Sequence, residues 1–294
     1  MAPMQYRLLA RALLAFVPVL LAGCGGGSPS VATFQVSLEA AWPPVLRALL
    51  HASDRMAPSA GYDLHIQPRT ETDVAANVLA QSRLPGEVIL WAGFTKGEGF
   101  SRFPAFLAEA RKYPNIRYAY IYDEKDWDGA RYVPGLHQSA IYQAADQARA
   151  AGLRPVITIM PDVILQPDFS LDVNRFDVIG IDIYPSGRPS GMPALDACQI
   201  SANPMSNLLG CGIAKLRRMG FTGKAFYVYQ AFGVHSDHNL LSGLSLQREM
   251  IDSARALGAD GVMPYGLYFG AAELAAEPNL YPLAGTALEA LVTP

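Results

Sequence analysis

Acidic residues, aromatic rings and one amide stand at the ends of short apolar runs in this 294-residue chain. The carboxylates Asp123 and Glu124 follow one such run, and Asp182 lies near the end of another. Two carboxyl groups can carry out acid–base chemistry when one is protonated and the other ionised. The same and neighbouring runs are followed by Trp91, Trp127, Tyr184, Gln230, Tyr265 and Tyr268. Because rings stack on sugars while carboxylates bind hydroxyls or transfer protons, this combination indicates carbohydrate chemistry.

A repeated strand–helix pattern must position these residues. The predicted strands are Thr33–Val36, Tyr62–Ile66, Val88–Gly93, Arg117–Tyr122, Pro155–Met160, Val178–Tyr184, Ala225–Ala231 and Val262–Leu267. Apolar residues at helical spacing predict helices at Phe103–Lys112, Gln138–Ala151, Met205–Met219 and Leu246–Leu257. Gly152, Gly220 and Gly258 stand where three of these helices should end.

Eight strands alternating with helices predict an α/β fold of the (β/α)8 TIM-barrel type. A doubly wound open sheet is the alternative, but no glycine-rich phosphate-binding fingerprint follows the first predicted strand. In a TIM barrel the active site lies at the carboxyl ends of the strands, where the residues named above are expected.

Strand alternation separates the faces of the run Val178–Tyr184. Gly180, Asp182 and Tyr184 share one face, and the isoleucines at 179, 181 and 183 share the other. The isoleucine face should pack against helices, so Asp182 is expected to point into the barrel mouth. A carboxylate in so apolar a strand is costly to bury alone, which implies a partner or water. For Asp123 and Glu124, alternation leaves open which one enters the cleft.

Three segments resemble those of TIM-barrel glycoside hydrolases. Residues 176–185 contain the pattern D-x-I-G-x-D-x-Y-P, which is similar to a strand of many such enzymes. Asp123-Glu124 resembles the Asn-Glu pair of their retaining clan, whose glutamate is the acid/base, and residues 227–233 resemble the nucleophile strand. The resemblance extends over residues 85–270. It has one departure, because Gln230 stands where that clan carries its nucleophilic glutamate, and an amide cannot form the glycosyl ester.

The resemblance implies a hydrolase acting on an extracellular or cell-wall polysaccharide. Glu124 would be the general acid, with Asp182 or Asp123 as the second carboxylate, and Tyr184 and Gln230 would bind the sugar or the developing charge. The rings at 91, 127, 265 and 268 would line subsites. The alternative is a non-catalytic carbohydrate-binding or polysaccharide-assembly lipoprotein on a degenerate hydrolase barrel, which Gln230 favours. Unrelated chemistry on the same barrel is a third reading.

The amino terminus resembles a bacterial lipoprotein leader. Leu21-Ala22-Gly23-Cys24 is similar to a lipobox, and it follows two arginines and an apolar run at Leu8–Leu21 that is short for a membrane span. We therefore expect a leader at 1–23, a lipidated Cys24 with a flexible tether at 24–30, and a barrel domain at 31–294. A plain secretory signal is the alternative. The resemblance implies export and anchoring to the cell envelope, with Gly25 mildly favouring the outer membrane.

The cysteines, the net charge and the histidines limit the partners and cofactors that can be expected. Cys198 and Cys211 are expected to form a disulfide in an exported protein, with buried free thiols as the alternative. Loss of two arginines with the leader takes the basic count from 23 to 21 against 26 acidic residues, a formal charge of −5. Without a basic stripe, no nucleic-acid partner is expected. His235 and His238 lack a third ligand nearby in the sequence, so we expect neither a metal nor a cofactor.

Overall fold

The computed structural model describes residues 46–50, 64–66, 72–92, 98–122, 138–183, 204–230, 234–235, 238–239, 252 and 254–265. Its strands are β1 (Leu46–Leu50), β2 (Leu64–Ile66), β3 (Glu87–Trp91), β4 (Ile116–Tyr122), β5 (Arg154–Ile159), β6 (Val178–Asp182), β7 (Lys224–Gln230), β8 (Val234–His235), β9 (His238–Asn239) and β10 (Gly261–Tyr265). Its helices are α1 (Val74–Ser82), α2 (Phe103–Ala110), α3 (Gln138–Ala150), α4 (Pro161–Ile164) and α5 (Pro204–Arg218). None of the helices in these ranges has the length and hydropathy that crossing a bilayer requires.

Eight of the strands pair in parallel and close on themselves. Strands β1 to β7 are neighbours in chain order, and β10 completes the ring between β7 and β1. Strands β8 and β9 form a separate antiparallel pair directly after β7. The predicted α/β class is confirmed. Helices α1 to α5 each follow one of the strands β2 to β6, whereas a helix after each of the other barrel strands stays a prediction.

The first barrel strand differs from the predicted one. Thr33–Val36 lies outside the described residues, and the strand that occupies the first place in the ring is β1. Its sequence, Leu-Arg-Ala-Leu-Leu, lacks the β-branched residues that favour strands. It forms a strand because β2 and β10 pair with it on both sides. The other predicted barrel strands agree with the structure to within a few residues at each end.

Two apolar clusters divide the core. The outer cluster lies between the strands and the helices, and Ile179, Ile181 and Ile183 belong to it. The inner cluster fills the barrel with Leu64, Ile66, Ile89, Trp91, Tyr118, Tyr120, Val156, Val178, Phe226, Val228 and Met263. Burying each large apolar side chain contributes about 1.5–3 kcal/mol. The β6 isoleucines lie in the outer cluster and Val178 lies in the inner one, so the predicted alternation is confirmed.

Glycines end helices at the positions that the sequence indicates. Gly152, Gly220 and Gly258 have φ angles of 82°, 83° and 86°. This left-handed conformation is unfavourable for residues with a Cβ atom, which is why glycine is common after helices. Each of these glycines returns the chain to the amino-terminal side of the next barrel strand.

Candidate functional site

Asp182 lies at the carboxyl end of β6, with only 5% of its surface exposed. It occupies the strand face of Val178, an inner-cluster residue, and of Gly180, and it pairs in register with Val228 of β7. Its position is therefore on the interior side of the barrel, as alternation predicts. Burial makes an ionised carboxylate costly in this place unless polar groups or water contact it.

Tyr227 of β7 interacts with this carboxylate. The Tyr227 side chain is fully buried, and burial, followed by the negative charge of Asp182, raises the pKa of its hydroxyl well above the usual range. The phenol therefore stays protonated at neutral pH. Tyr227 belongs to the outer cluster, and Asp182 affects the pKa of its hydroxyl through charge.

An aromatic pair lies inside the barrel on β3 and β4. The Trp91 and Tyr120 rings stack with their centroids 4.9 Å apart and their planes at 28°. The Tyr120 hydroxyl hydrogen-bonds the Thr158 hydroxyl of β5, with 2.5 Å between the oxygens. Tyr120 is fully buried, whereas Trp91 retains 9% of its surface. Trp91 thus lies at the carboxyl end of β3 in the inner cluster, on a support that Tyr120 and Thr158 provide, and its role in a sugar subsite stays a prediction.

Gly180 makes room for this interior arrangement. A Cβ atom added to Gly180 would lie 2.9 Å from Cγ2 of Val228 and 3.2 Å from Oγ1 of Thr158. Any side chain at this position would therefore displace the residues beneath Asp182. Sequence reasoning missed the roles of Thr158 and Gly180, although a threonine among Val156, Ile157 and Ile159 was a usable signal.

Helix α1 contributes two buried polar residues that sequence reasoning also missed. Gln81 is fully buried and Asn77 retains 3% of its surface. Gln81 accepts a hydrogen bond from the Trp91 backbone N–H at 2.7 Å and donates from Nε2 to the Trp91 carbonyl at 2.8 Å. The same Nε2 donates to Oδ1 of Asn77 at 2.6 Å. The i, i+4 spacing of the two amides was the available signal.

Strand β4 contains an extra residue just before the predicted acid pair. Tyr120 pairs with Val156, but the next residue of β5, Ile157, pairs with Tyr122, so the register shifts by one residue. Tyr122 is half-buried and packs against the outer cluster. Such irregularities change which face of the strand the following residues occupy. The shift therefore affects the prediction of which residue, Asp123 or Glu124, would enter the cleft.

Several predicted residues are described in part or not at all. The backbones of Gln230 and Tyr265 end β7 and β10 and pair with each other, whereas their side chains are outside the description. Cys211 is buried on α5 and is not a free thiol. The predicted residues outside the described ranges are Cys24, Asp123, Glu124, Trp127, Tyr184, Cys198 and Tyr268. Their roles, the disulfide, and the leader and tether at 1–30 stay predictions.

Within the described ranges, no group of three or more His, Cys, Asp or Glu side chains is arranged to hold a metal ion. His235 and His238 stand opposite each other in the β8–β9 pair. Their side chains are outside the description.

Comparison with known proteins gives structural neighbours. No family model and no curated protein sequence matches the chain. The glycoside hydrolase domain of PgaB (BpsB) from Bordetella bronchiseptica is similar at 10% identity and a TM-score of 0.49, covering 85% of this chain and 99% of that one. Catalytic domain 2 of the Ostrinia furnacalis Group II chitinase matches at 11% identity and a TM-score of 0.49, covering 76% and 90%. The GH18 chitinase ChiB of Flavobacterium johnsoniae matches at 11% and 0.48, covering 75% and 87%.

Proposed function

We propose that this protein is a glycoside hydrolase-like lipoprotein that cleaves an extracellular or cell-wall polysaccharide by carboxylate acid–base catalysis. The observation that carries the proposal is Asp182, a nearly buried carboxylate at the carboxyl end of an interior strand. Parallel barrels place their chemistry at this end of the strands. The Trp91–Tyr120 stack belongs to the same barrel interior, so an acid and apolar rings are combined there as a sugar site requires.

Hydrolysis requires a second carboxylate, and β4 offers two. The resemblance to retaining hydrolases favours Glu124 as the general acid. The register shift favours Asp123, because Tyr122 packs against the outer cluster and continued strand alternation would turn the next residue to the interior face. In either case Asp182 would serve as nucleophile, as base for water or as orienter of the substrate. A carboxyl separation of about 5–5.5 Å would give retention, and about 6.5–9.5 Å would give inversion.

The remaining sequence predictions complete the proposal. Trp127, Tyr265 and Tyr268 would line sugar subsites with Trp91, and Tyr184 and Gln230 would hydrogen-bond the sugar or the charge that develops during cleavage. Lipidation at Cys24 would anchor an exported protein in the cell envelope, with the outer membrane mildly favoured. A Cys198–Cys211 disulfide would join the β6–α5 segment to α5 and contribute roughly 3 kcal/mol for a loop of this length. No step requires a cofactor.

Reducing-end release from a panel of exopolysaccharides and peptidoglycan tests the proposal. The full chain, purified in detergent, should release reducing ends from one member of the panel. Loss of the general acid should lower the rate by about a hundredfold or more. Comparing Glu124→Gln with Asp123→Asn identifies the acid, since only the substitution at the acid should have this effect. Wild-type protein that cleaves no member of the panel would contradict the proposed hydrolysis.

The second candidate function is non-catalytic binding or assembly of a polysaccharide. Gln230 favours it, because a neutral amide stands at the end of β7, where the hydrolases that the sequence resembles carry the nucleophile. Binding to one glycan without cleavage, together with unchanged affinity in Glu124→Gln and Asp123→Asn, would establish this function. A loss of cleavage in one of those variants, with binding retained, would establish catalysis.

A further inference from the structure

We infer that Gln81 is a positioning residue that fixes the Trp91 ring at the barrel mouth, so that this ring can form one wall of the sugar site. The inference rests on the proposed function for the ligand, but not for the positioning. Its starting point is the ladder between β2 and β3, whose last pair among the described residues joins Ile66 to Ile89. Trp91 lies two residues beyond that point and pairs with Tyr120 of β4 on its other side.

The Gln81 side chain makes the two backbone hydrogen bonds at Trp91 that a neighbouring strand would otherwise make. The N–H and C=O of one residue in a parallel ladder point to the same side of the strand. Both groups of Trp91 meet the Gln81 amide, at 2.7 Å and 2.8 Å. A primary amide carries one N–H on the same side as its C=O, so a single side chain can accept from the Trp91 N–H and donate to the Trp91 carbonyl.

Asn77 fixes the Gln81 amide in the required orientation. Its Oδ1 accepts from Nε2 of Gln81 at 2.6 Å, so Nε2 has two acceptors and Oε1 faces the Trp91 N–H. A reversed amide would place Nε2 against an N–H group and Oε1 against two oxygens. Both side chains are buried on α1, where an apolar residue would avoid the cost of desolvating an amide. Their presence is explained by the need to hold the Trp91 backbone.

The fixed backbone determines where the ring lies. Trp91 stacks on Tyr120, whose hydroxyl is held in turn by Thr158. The indole is therefore fixed through its backbone by α1 and through its ring face by β4 and β5. Loss of the Gln81 bonds would free the end of β3 while leaving the Tyr120 contact, so the ring would become mobile about its stacked position. A mobile wall binds a sugar less tightly because binding must then order it.

The first test observes Trp91 without any ligand. Trp42→Phe and Trp127→Phe in the full chain leave Trp91 as the single tryptophan, since the sequence contains three. In this background, Gln81→Leu should increase acrylamide quenching of Trp91 and weaken its near-ultraviolet circular dichroism. Val78→Ala is the matched control, because Val78 is equally buried on α1 and takes no part in the amide contacts. Trp91 signals that are identical in the Gln81 variant and the control would overturn the inference.

Two further variants keep the test decisive if Gln81→Leu fails to fold. Asn77→Asp preserves an acceptor for Nε2 and should retain the Trp91 signals, whereas Asn77→Leu should show an intermediate loss. A loss of the same size in both Asn77 variants would show that the amide is not held as described, and would contradict the inference.

The second test measures glycan affinity in the otherwise native chain. Gln81→Leu should weaken binding by about tenfold, the effect of losing one or two buried hydrogen bonds. Val78→Ala should bind as the wild type does. Altered Trp91 signals with unaltered affinity would overturn the part of the inference that concerns sugar. If the wild type binds no glycan, the proposed function fails while the spectroscopic test still decides whether Gln81 positions Trp91.

Discussion

Substitution of Gly180 by alanine tests the packing beneath Asp182. The added Cβ would lie 2.9 Å from Cγ2 of Val228, closer than side-chain carbons normally approach, and 3.2 Å from Oγ1 of Thr158. Both neighbours are fully or almost fully buried, at 0% and 1% exposure, so neither can move into solvent. Overpacking of this kind typically costs about 1–3 kcal/mol. Because the shorter contact is to a branched and rigid side chain, we expect about 2 kcal/mol.

A double-mutant cycle with Val228→Ala separates the clash from a general loss of strand stability. Val228→Ala alone removes the clashing methyl and leaves a cavity, which should cost about 1–3 kcal/mol. In the presence of Gly180→Ala, the new methyl partly fills that cavity. The double variant should therefore be more stable than the two single costs predict, by about 1 kcal/mol or more.

Urea unfolding of the four proteins, followed by circular dichroism, gives the free energies of unfolding for this cycle. Gly152→Ala is the contrasting control, since its Cβ would meet no atom within 4 Å and its cost comes from a φ of +82°. Val228→Ala should not rescue that variant. Additive costs for Gly180→Ala and Val228→Ala would refute the interior packing described here.

Two further predictions concern pH and one end of the barrel. Burial and the charge of Asp182 raise the pKa of Tyr227 above its usual value of 10.0 in the folded protein. The unfolded chain therefore loses the Tyr227 proton first, and the stability of the fold, unaffected by this group below pH 10, falls as pH rises above it. The thermal midpoint of Tyr227→Phe should therefore fall less steeply above pH 10 than that of the wild type. Parallel curves of midpoint against pH for the two proteins would contradict this. Arg217→Ala removes hydrogen bonds to Asp260 and to two backbone carbonyls just before β7. Because the Arg217–Asp260 ion pair is partly exposed, the free energy of unfolding should fall by only about 1 kcal/mol. An unchanged urea midpoint would show that these bonds contribute nothing.

Strand β6 was predictable from sequence because its pattern is strictly periodic. Isoleucines alternate with Val178, Gly180 and Asp182, and this alternation alone places the carboxylate on the interior face. Glycines that end helices were equally clear, because their left-handed backbone excludes most other residues. In each case the local pattern and the final structure depend on the same short-range geometry.

Other features depend on neighbours that the sequence pattern does not show. β1 has a helix-favouring composition and is a strand only because β2 and β10 pair with it. The register shift of β4 against β5 arises between Tyr120 and Tyr122, where the composition is uniformly apolar and gives no signal. The i, i+4 spacing of Asn77 and Gln81 indicates that their amides share one face of a helix, but nothing local shows that the end of β3 needs them.

The proposed hydrolysis requires Asp182 to take part in the chemistry at the carboxyl end of the barrel. Its most direct test compares Asp182→Asn with Asp177→Asn in the reducing-end assay. The second variant removes a carboxylate just before the opposite end of the same strand, where Asp177 makes an exposed ion pair with Arg149. We expect Asp182→Asn to lose about a hundredfold in rate with its melting temperature retained, and Asp177→Asn to keep wild-type activity. Equal activity in the two variants would contradict the assignment of Asp182 to the site.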